Sequence, residues 1–330
     1  MFALVEITPW HWAGFILCVI FFIALDLGIF HRGSHAVTFK QALAWSALWF
    51  ALAMVFAALM LHWRGRNEAV QFVTGYLIEL SLSLDNLLVI ALIFASFRVP
   101  PEFQYRLLVW GILGALAMRG VMIVAGASLI EHFEWVLYLF GAFLVFTGGK
   151  MLFAGHEHVA PEKNPVVRLA RKLFPVAPAF DGNKFLTRLN GRNALTPLAL
   201  VLLLIETTDL LFAVDSVPAV FSVTRKAFIV FTSNVFAILG LRSMYFLLAG
   251  ALGYFRYLKV GLSVVLAFVG LKMLLDPHDH PPKWFQIEIP TSVSLMTVAA
   301  IILSAIVLSV MVAEREKRTG AGHSSNPEPR

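Results

Sequence analysis

The sequence predicts an all-α polytopic membrane protein of about nine transmembrane helices, six of which form two inverted three-helix repeats. The first observation is composition: 59% of the 330 residues are hydrophobic and 14% are charged, with a mean hydropathy of +0.80. A soluble domain has about 45–50% apolar and about 25% charged residues. The second is a series of long apolar segments, and the third is a set of polar residues that recurs in both halves. This composition excludes a soluble enzyme and a disordered protein.

Nine apolar segments are expected to span the membrane, because each reaches the roughly 17–25 residues that a spanning helix needs. None alternates polar and apolar residues with a period of two, which excludes the strands of an outer-membrane barrel. The segments are residues 12–30, 39–62, 69–96, 106–127, 134–153, 194–221, 228–251, 258–275 and 290–312.

The distribution of Lys and Arg predicts a multi-pass protein of the inner (cytoplasmic) membrane with its N-terminus outside and its C-terminus in the cytoplasm. In that orientation 17 of these residues lie in cytoplasmic segments and 5 in external ones, as the positive-inside rule requires. The net charge of +6 therefore needs no nucleic-acid partner. The lipid bilayer is the expected partner, and the oligomeric state does not follow from the sequence.

These predictions divide the chain into six parts. The long loop is rich in basic residues and is expected to contact anionic lipid. The parts are an N-terminal two-helix extension (1–66), a first repeat (67–154), the cytoplasmic loop (155–193), a second, inverted repeat (194–277), a C-terminal transmembrane helix (278–313) and a disordered tail (314–330).

The two predicted repeats share polar residues in the same order. The matched pairs are Glu79 and Asp209, Asp85 and Asp215, Arg119 and Arg242, and Lys150 and Lys272. Because a unit of three spans is repeated, the second copy must cross the membrane in the opposite direction. Many transporters have such inverted repeats and bind their substrate near the midplane between the two copies.

Six acidic residues fall inside the predicted spans, against two deep arginines. They are Asp26, Glu79, Asp85, Glu206, Asp209 and Asp215, with Arg119 and Arg242. A charge at the bilayer centre costs at least about 2.5–3.5 kcal/mol. Two arginines cannot neutralise six carboxylates, so the remaining acids must be protonated, bind a cation or line water. The alternative, a structural ion-pair cluster with the two arginines, stays open.

Spacing constrains how these acids could bind an ion. Residues six apart on a regular helix point about 120° apart and lie about 9 Å apart along its axis. Glu79 and Asp85 therefore share one ion only if the helix is locally unwound, and otherwise they serve successive positions on a path. Pro218 favours unwinding near Asp215, because it removes the hydrogen bond to the carbonyl of Val214.

The side chains beside the acids supply further oxygen ligands. Asn86, Ser83 and Ser216 add an amide and two hydroxyls. Hard oxygen ligands suit Mn²⁺, Mg²⁺ or Ca²⁺ better than Cu⁺ or Zn²⁺. The single cysteine, Cys18, excludes an intrachain disulfide or a cysteine metal site. No phosphate-binding loop or catalytic triad pattern occurs, so we expect neither an enzyme nor a tightly bound cofactor, but a transported divalent cation.

Two of these segments resemble the signature segments of the TerC/Alx family of integral membrane proteins, most closely its bacterial Alx-type members. They are ELSLSLDNLL at 79–88 and ETTDLLFAVDSVPAVF at 206–221. Segments 34–45 and 228–246 are similar too, and the resemblance covers about residues 12–275. The family has been linked to tellurium resistance, the alkaline pH response and manganese homeostasis, chiefly efflux.

This resemblance implies a set of site residues. Those that match the acidic motifs are Glu79, Asp85, Asn86, Glu206, Asp209, Asp215 and Ser216, and those that match span seven are Asn234 and Arg242. Asp26, Ser83, Arg119 and Pro218 are expected to support them. One departure is Thr224-Arg225-Lys226-Ala227-Phe228, where members usually carry Thr-x-Asp-Pro-Phe. A basic residue at this external position argues against a cation-attracting role for that loop.

The leading hypothesis is a divalent-cation exporter, with Mn²⁺ as the expected cargo, that works by alternating access and returns protons on the same carboxylates. A second is a membrane scaffold that delivers metal to secreted or membrane proteins. A third is a tellurium-resistance protein without transport. Export of an anion fits poorly, because six acids against two arginines repel anions.

Overall fold

The protein is a bundle of long apolar helices. The computed structural model describes residues 7–30, 38–153, 164–189, 191–249, 257–276 and 286–323. Its elements are α1 (Pro9–Phe30), α2 (Phe39–Trp63), α3 (Arg66–Ser96), α4 (Pro101–His132), α5 (Val136–Phe153), α6 (Pro165–Leu173), β1 (Leu186–Leu189), β2 (Arg192–Leu195), α7 (Pro197–Phe221), α8 (Ala227–Ala249), α9 (Leu258–Leu275) and α10 (Thr291–His323).

Eight helices are long and apolar enough to cross a membrane, and α1 contributes a shorter apolar stretch, Pro9–Leu25. These nine helices coincide with the nine predicted segments, which confirms a helical polytopic membrane fold. Local sequence accounts for several boundaries. Gly65 has a φ of 88° and allows the tight turn between α2 and α3. Pro101 and Pro197 stand at the starts of α4 and α7, where a missing N–H costs nothing.

Six helices pack as three pairs: α3 on α8, α4 on α7, and α5 on α9. Each pair takes one helix from residues 67–154 and one from 194–277. In the predicted repeat α3, α4 and α5 correspond to α7, α8 and α9. Exchanging the corresponding helices turns α3–α8 into α7–α4 and leaves α5–α9 as it is, so the set of pairs does not change. A set of pairs with this exchange symmetry is what an inverted repeat produces, although the repeat itself stays a prediction.

Glycines bring α5 and α9 into close contact. A Cβ atom at Gly148 would lie 2.8 Å from the carbonyl oxygen of Ser263, and one at Gly270 would lie 2.7 Å from the carbonyl oxygen of Gly141. Residue numbers therefore rise along α5 as they fall along α9, and the two helices are antiparallel. Small residues at such crossings let helix backbones approach and gain packing contacts within a bilayer.

The expected unwinding near Pro218 does not occur, because α7 runs through that residue to Phe221. Pro218 lies in the last turn, where the helix ends before further hydrogen bonds would be lost. The matching helix α3 is also continuous, and Ser81 donates to the carbonyl oxygen of Leu77 at 2.6 Å within it. Glu79 and Asp85 are therefore separated as on a regular helix.

Two segments are more ordered than the sequence indicated. Helix α10 continues to His323, into the segment 314–330 assigned to a disordered tail. Its added residues begin with Glu314, Arg315, Glu316 and Lys317, which are good helix formers. The loop 155–193 and the residues after it contain α6 and an antiparallel hairpin of β1 and β2.

The glycine contact predicts a difference between two neighbouring substitutions on α5. Gly148→Ala should lower the melting temperature of the purified protein, because overpacking at a close backbone contact costs about 1–3 kcal/mol. Gly149→Ala is the matched control, since a Cβ atom there would meet no atom within 4 Å. Thermal unfolding in detergent measures both, and equal melting temperatures would contradict the α5–α9 packing.

Candidate functional site

An arginine at the middle of the bundle joins two of the predicted acids. The Arg119 guanidinium on α4 donates to Glu79 on α3 through Nη1. It also donates to both carboxylate oxygens of Asp209 on α7, at 3.2 Å from Nε and 3.0 Å from Nη2. Glu79 and Arg119 are 0% and 1% exposed, and the Asp209 side chain is 12% exposed. This three-residue group is called the central cluster below.

Two neutral side chains complete the hydrogen bonding of Arg119. Ser216 lies 3.1 Å from Nη1. The Asn86 amide, oriented by its partners, accepts from Nη2 at 3.2 Å and donates to the carbonyl oxygen of Leu82 at 3.0 Å. Four of the seven predicted site residues, Glu79, Asn86, Asp209 and Ser216, thus surround one guanidinium.

The central cluster carries more negative than positive charge. One guanidinium faces two carboxylates, and Glu79 Oε2 has no hydrogen-bond partner among the described residues. The hydroxyl of Ser83, one turn along α3, is also buried without a partner there. A buried polar atom without a hydrogen bond is costly, so these two oxygens are candidate ligands for a proton donor or a cation.

Asp215 has different neighbours. It is half-buried on α7, hydrogen-bonded to the Thr147 side chain on α5 and within electrostatic range of Lys150. Since α7 runs from Pro197 to Phe221, Asp215 lies six residues beyond Asp209 towards the predicted external end. Asp85 is half-buried and lies six residues beyond Glu79 in the opposite direction, towards the predicted cytoplasmic end.

Glu206 lies against the backbone of α4. A Cβ atom at Gly114 would overlap its carboxylate, so the absence of a side chain there makes room for this acid between α4 and α7. Glu206 is half-buried and stands one turn before Asp209, whose charge repels its own. In the sequence Gly114 showed no sign of this role beyond its place in the repeat.

The supporting residues fall into separate environments. Arg242 is buried on α8 with its guanidinium over the Tyr105 ring, 4.9 Å from the ring centre. Asn234, on the same helix, is buried, and its Nδ2 has no hydrogen-bond partner among the described residues. Asp26 belongs to α1, but its side chain lies outside the part of the chain that is described.

The acids are arranged as a series and not as a compact metal site. Within the described ranges, no group of three or more His, Cys, Asp or Glu side chains is placed to hold a metal ion. The assignment of Glu79, Asp85, Asn86, Glu206, Asp209, Asp215 and Ser216 as metal ligands stays a prediction. What the geometry shows is a guanidinium between the carboxylates of Glu79 and Asp209.

A polar cavity of about 980 Å³ opens at the predicted external end. The first turns of α3 and α10 and the end of α7 line it, which shows that α3 and α7 are antiparallel. Phe221 and Leu137 belong both to its lining and to the hydrophobic core cluster that contains Ile78. Ile78 adjoins Glu79 in the sequence, so an apolar layer of this cluster extends from the cavity wall to the level of the central cluster.

Ion pairs connect the elements around this cavity. Lys226, the basic residue at the unusual position, lies 2.5 Å from Glu68, which also pairs with Arg64 at 2.7 Å. Arg225 pairs with Glu134 at 3.3 Å. The loop between α7 and α8 is thereby tied to the start of α3 and to the α4–α5 turn.

A second lysine departs from expectation. Lys272 matches Lys150 in the sequence, and a lysine near the end of a membrane-spanning helix ordinarily extends to the membrane surface. Lys272 is instead 3% exposed, donates to the carbonyl oxygen of Ser222 at 3.2 Å and lies 3.8 Å from Asp276. Its partners come from α7 and the end of α9, so the burial follows from tertiary packing that sequence spacing does not contain.

The fold and the central cluster define a class: a polytopic helical membrane protein with buried, mutually paired charges at mid-membrane. Comparison with known proteins gives the family. Residues 64–317 match the model of the "Integral membrane protein TerC family". The chain belongs to the TerC family, as the resemblance in the sequence indicated.

Curated relatives match over nearly the whole chain. An "Uncharacterized membrane protein STKORF319" of Myxococcus xanthus is 51% identical over 304 residues, covering 92% of this chain and 93% of the relative. The "Putative membrane-bound redox modulator Alx" of Escherichia coli K12 is 44% identical over 324 residues, covering 96% and 98%. An "Uncharacterized membrane protein" of Rickettsia bellii is 36% identical over 292 residues, covering 88% and 97%. No solved structure matches this chain.

The central cluster predicts strong coupling between its members. Arg119→Gln should destabilise the protein by about 3–5 kcal/mol, because it leaves two carboxylates buried without their cation. Adding Glu79→Gln and Asp209→Asn to that variant should recover much of the loss. Thermal unfolding measures the series, with Arg66→Gln at the membrane surface as the control. If Arg119→Gln had the same melting temperature as the Arg66→Gln control, the central cluster would not be a stabilising unit.

Proposed function

We propose that this protein exports a divalent cation, with Mn²⁺ as the expected cargo, by alternating access across the inner membrane. The observation that carries the proposal is the excess of carboxylates over arginines at mid-membrane. Glu79 and Asp209 share one buried guanidinium, and Glu79 has an oxygen without a partner among the described residues. Such intramembrane acids mark ion pathways in membrane proteins.

The order of the acids supports a path. Because α3 and α7 are antiparallel, Asp85 lies about 9 Å from the level of Glu79 towards the predicted cytoplasmic end, and Asp215 lies about 9 Å from the level of Asp209 in the other direction. A cation from the cytoplasm would meet Asp85 first, then the central cluster, then Asp215. The unbroken helices favour these successive positions over a single site that holds all the acids.

Arg119 gives this path a resident positive charge. It neutralises part of the central cluster when no cargo is present, and a divalent cation between Glu79 and Asp209 would have to displace it. Arg119 would then separate from Asp209, or α4 would move relative to α7. Protons are expected to return on the carboxylates that the cation leaves, because metal binding and protonation compete for the same oxygens.

The cavity at the predicted external end would release the cargo. Lys226 and Arg225 at its rim are paired with Glu68 and Glu134, so these two carboxylates are not free to recapture a cation that has left the central cluster. The loop therefore suits release better than capture, and the basic residue at the unusual position is consistent with export. The apolar layer at Phe221 would have to open for this step.

A metal-delivery scaffold stays the second candidate, and the folded segment 164–195 on the predicted cytoplasmic side is the observation that favours it. The printed name of the Escherichia coli relative describes a redox role. This chain has one thiol, on Cys18, and cannot form an internal disulfide.

Transport assays test the proposal directly. In proteoliposomes the wild-type protein should move Mn²⁺, and parallel assays with Ca²⁺, Mg²⁺ and Zn²⁺ define the cargo. Glu79→Gln, Asp85→Asn, Asp209→Asn and Asp215→Asn should each abolish the flux, while Asp181→Asn in the predicted cytoplasmic segment should not. Size-exclusion profiles check that each variant is folded. Wild-type rates in all four acid variants would rule out the proposed path.

A glycine substitution tests the path without removing a charge. Gly114→Ala should displace the Glu206 carboxylate from its position between α4 and α7, and we expect the rate of Mn²⁺ flux to fall severalfold. Gly120→Ala, one and a half turns further along α4, is the matched control, since its Cβ atom would make only an ordinary contact, 3.4 Å from the Phe231 ring. Equal flux in the two variants would show that the position of Glu206 does not matter.

A further inference from the structure

The segment that joins the two predicted repeats folds into a small unit that is far more basic than its surroundings. Residues 164–195 contain six Lys and Arg and one acid, Asp181. That acid accepts a hydrogen bond from Thr187 at 2.7 Å and lies 3.5 Å from Lys184, and these partners lower the pKa of its carboxyl. The other basic residues are Arg168, Arg171, Lys172, Arg188 and Arg192.

Helix α6 in this unit is strongly amphipathic. Its apolar residues Val166, Leu169 and Leu173 have the i, i+3, i+7 spacing of one helix face. The basic residues Arg168, Arg171 and Lys172 occupy the opposite face and are exposed. Asn164 caps the helix by accepting hydrogen bonds from the N–H groups of Val166 and Val167 at 2.9 and 3.2 Å, so this short helix begins at a defined residue.

Among the residues that the structure describes, little covers the apolar face of α6. Val167, about 100° around the helix from Val166 and on a different side from Leu169 and Leu173, is 0% exposed and joins the core cluster that includes the start of α7. Leu169 and Leu173 are 54% and 65% exposed, and Phe174 just after the helix is 47% exposed. Large apolar side chains in a row on a basic helix are unfavourable in water.

The position of α6 indicates what covers its exposed apolar face. Strand β2 ends at Leu195, two residues before the transmembrane helix α7 begins at Pro197, and α6 packs on α7. The unit is therefore held next to the membrane surface. A basic amphipathic helix at this depth buries its apolar face at the level of the lipid headgroups while its cations attract anionic lipids.

We propose that α6 is an interfacial helix that docks on the adjacent leaflet, with Leu169 and Leu173 inserted among the lipids and the basic residues bound to anionic headgroups. This contact tethers the connection between α5 and α7 to the bilayer, whatever cargo the protein moves. A soluble acidic protein could also match the charges, but the exposed leucines beside the membrane favour lipid.

Site-directed spin labelling of the full chain tests the docking. In a Cys18→Ser background, a label on Leu169→Cys should be accessible to oxygen and shielded from a water-soluble nickel chelate in vesicles of phosphatidylcholine with 30% phosphatidylglycerol. A label on Arg168→Cys, the neighbouring residue on the basic face, is the matched control and should show the reverse. Shielding at 169 should weaken in pure phosphatidylcholine.

A charge variant separates lipid binding from simple packing. Arg168→Gln, Arg171→Gln and Lys172→Gln together, with the label at 169, should lower the ratio of shielded to exposed label roughly a hundredfold in the anionic vesicles, because each basic residue adds about fivefold to binding. Equal exposure of labels at 168 and 169 in both lipids would overturn the proposal. So would shielding that needs an added soluble protein, or that is unchanged by the three substitutions.

Discussion

The interaction on which the structure depends is the pairing of Arg119 with Glu79 and Asp209. It joins α4 to α3 and to α7 at a depth where water cannot compensate a charge. Removing two carboxylates and a guanidinium from water is costly, and only close geometry with further hydrogen bonds offsets that cost. Ser216 and Asn86 provide those bonds. The three helices are thereby held in one rotational setting, which also decides where every other acid lies.

That setting explains why the acids form a series. Regular helices keep residues six apart on different faces, and the antiparallel α3 and α7 send their second acids to opposite sides of the central cluster. A single site that held Glu79 with Asp85, or Asp209 with Asp215, would have required a break in α3 or α7, and both helices are continuous. In the proposed exporter, this arrangement would suit successive weak binding of a moving cation better than tight retention of a resident one.

The sequence predicts the helices and the importance of the acids well, because long apolar segments and charges within them have few physical explanations. The sequence does not predict well which side chains contact one another. Arg119 and Arg242 were equivalent by spacing, yet one joins two carboxylates and the other lies over the Tyr105 ring. Which side chain meets which depends on helix rotation, and so do the burial of Lys272 and the contact of Glu206 with Gly114. The fold of residues 164–195 was not predicted, because their composition indicated only a polar loop.

The different environments of Arg119 and Arg242 bear on mechanism. Alternating access in inverted repeats works because two units of similar sequence adopt different conformations and then exchange them. The proposed alternating-access cycle would give matched residues unlike surroundings in any one state, and the surroundings of Arg119 and Arg242 differ in this way. The packing of α5 on α9 through Gly141, Gly148 and Gly270 places the backbones of the two units in direct contact. In the proposed cycle, this close contact would be the axis about which the pairs α3–α8 and α4–α7 rearrange, while the charges of the central cluster change partners.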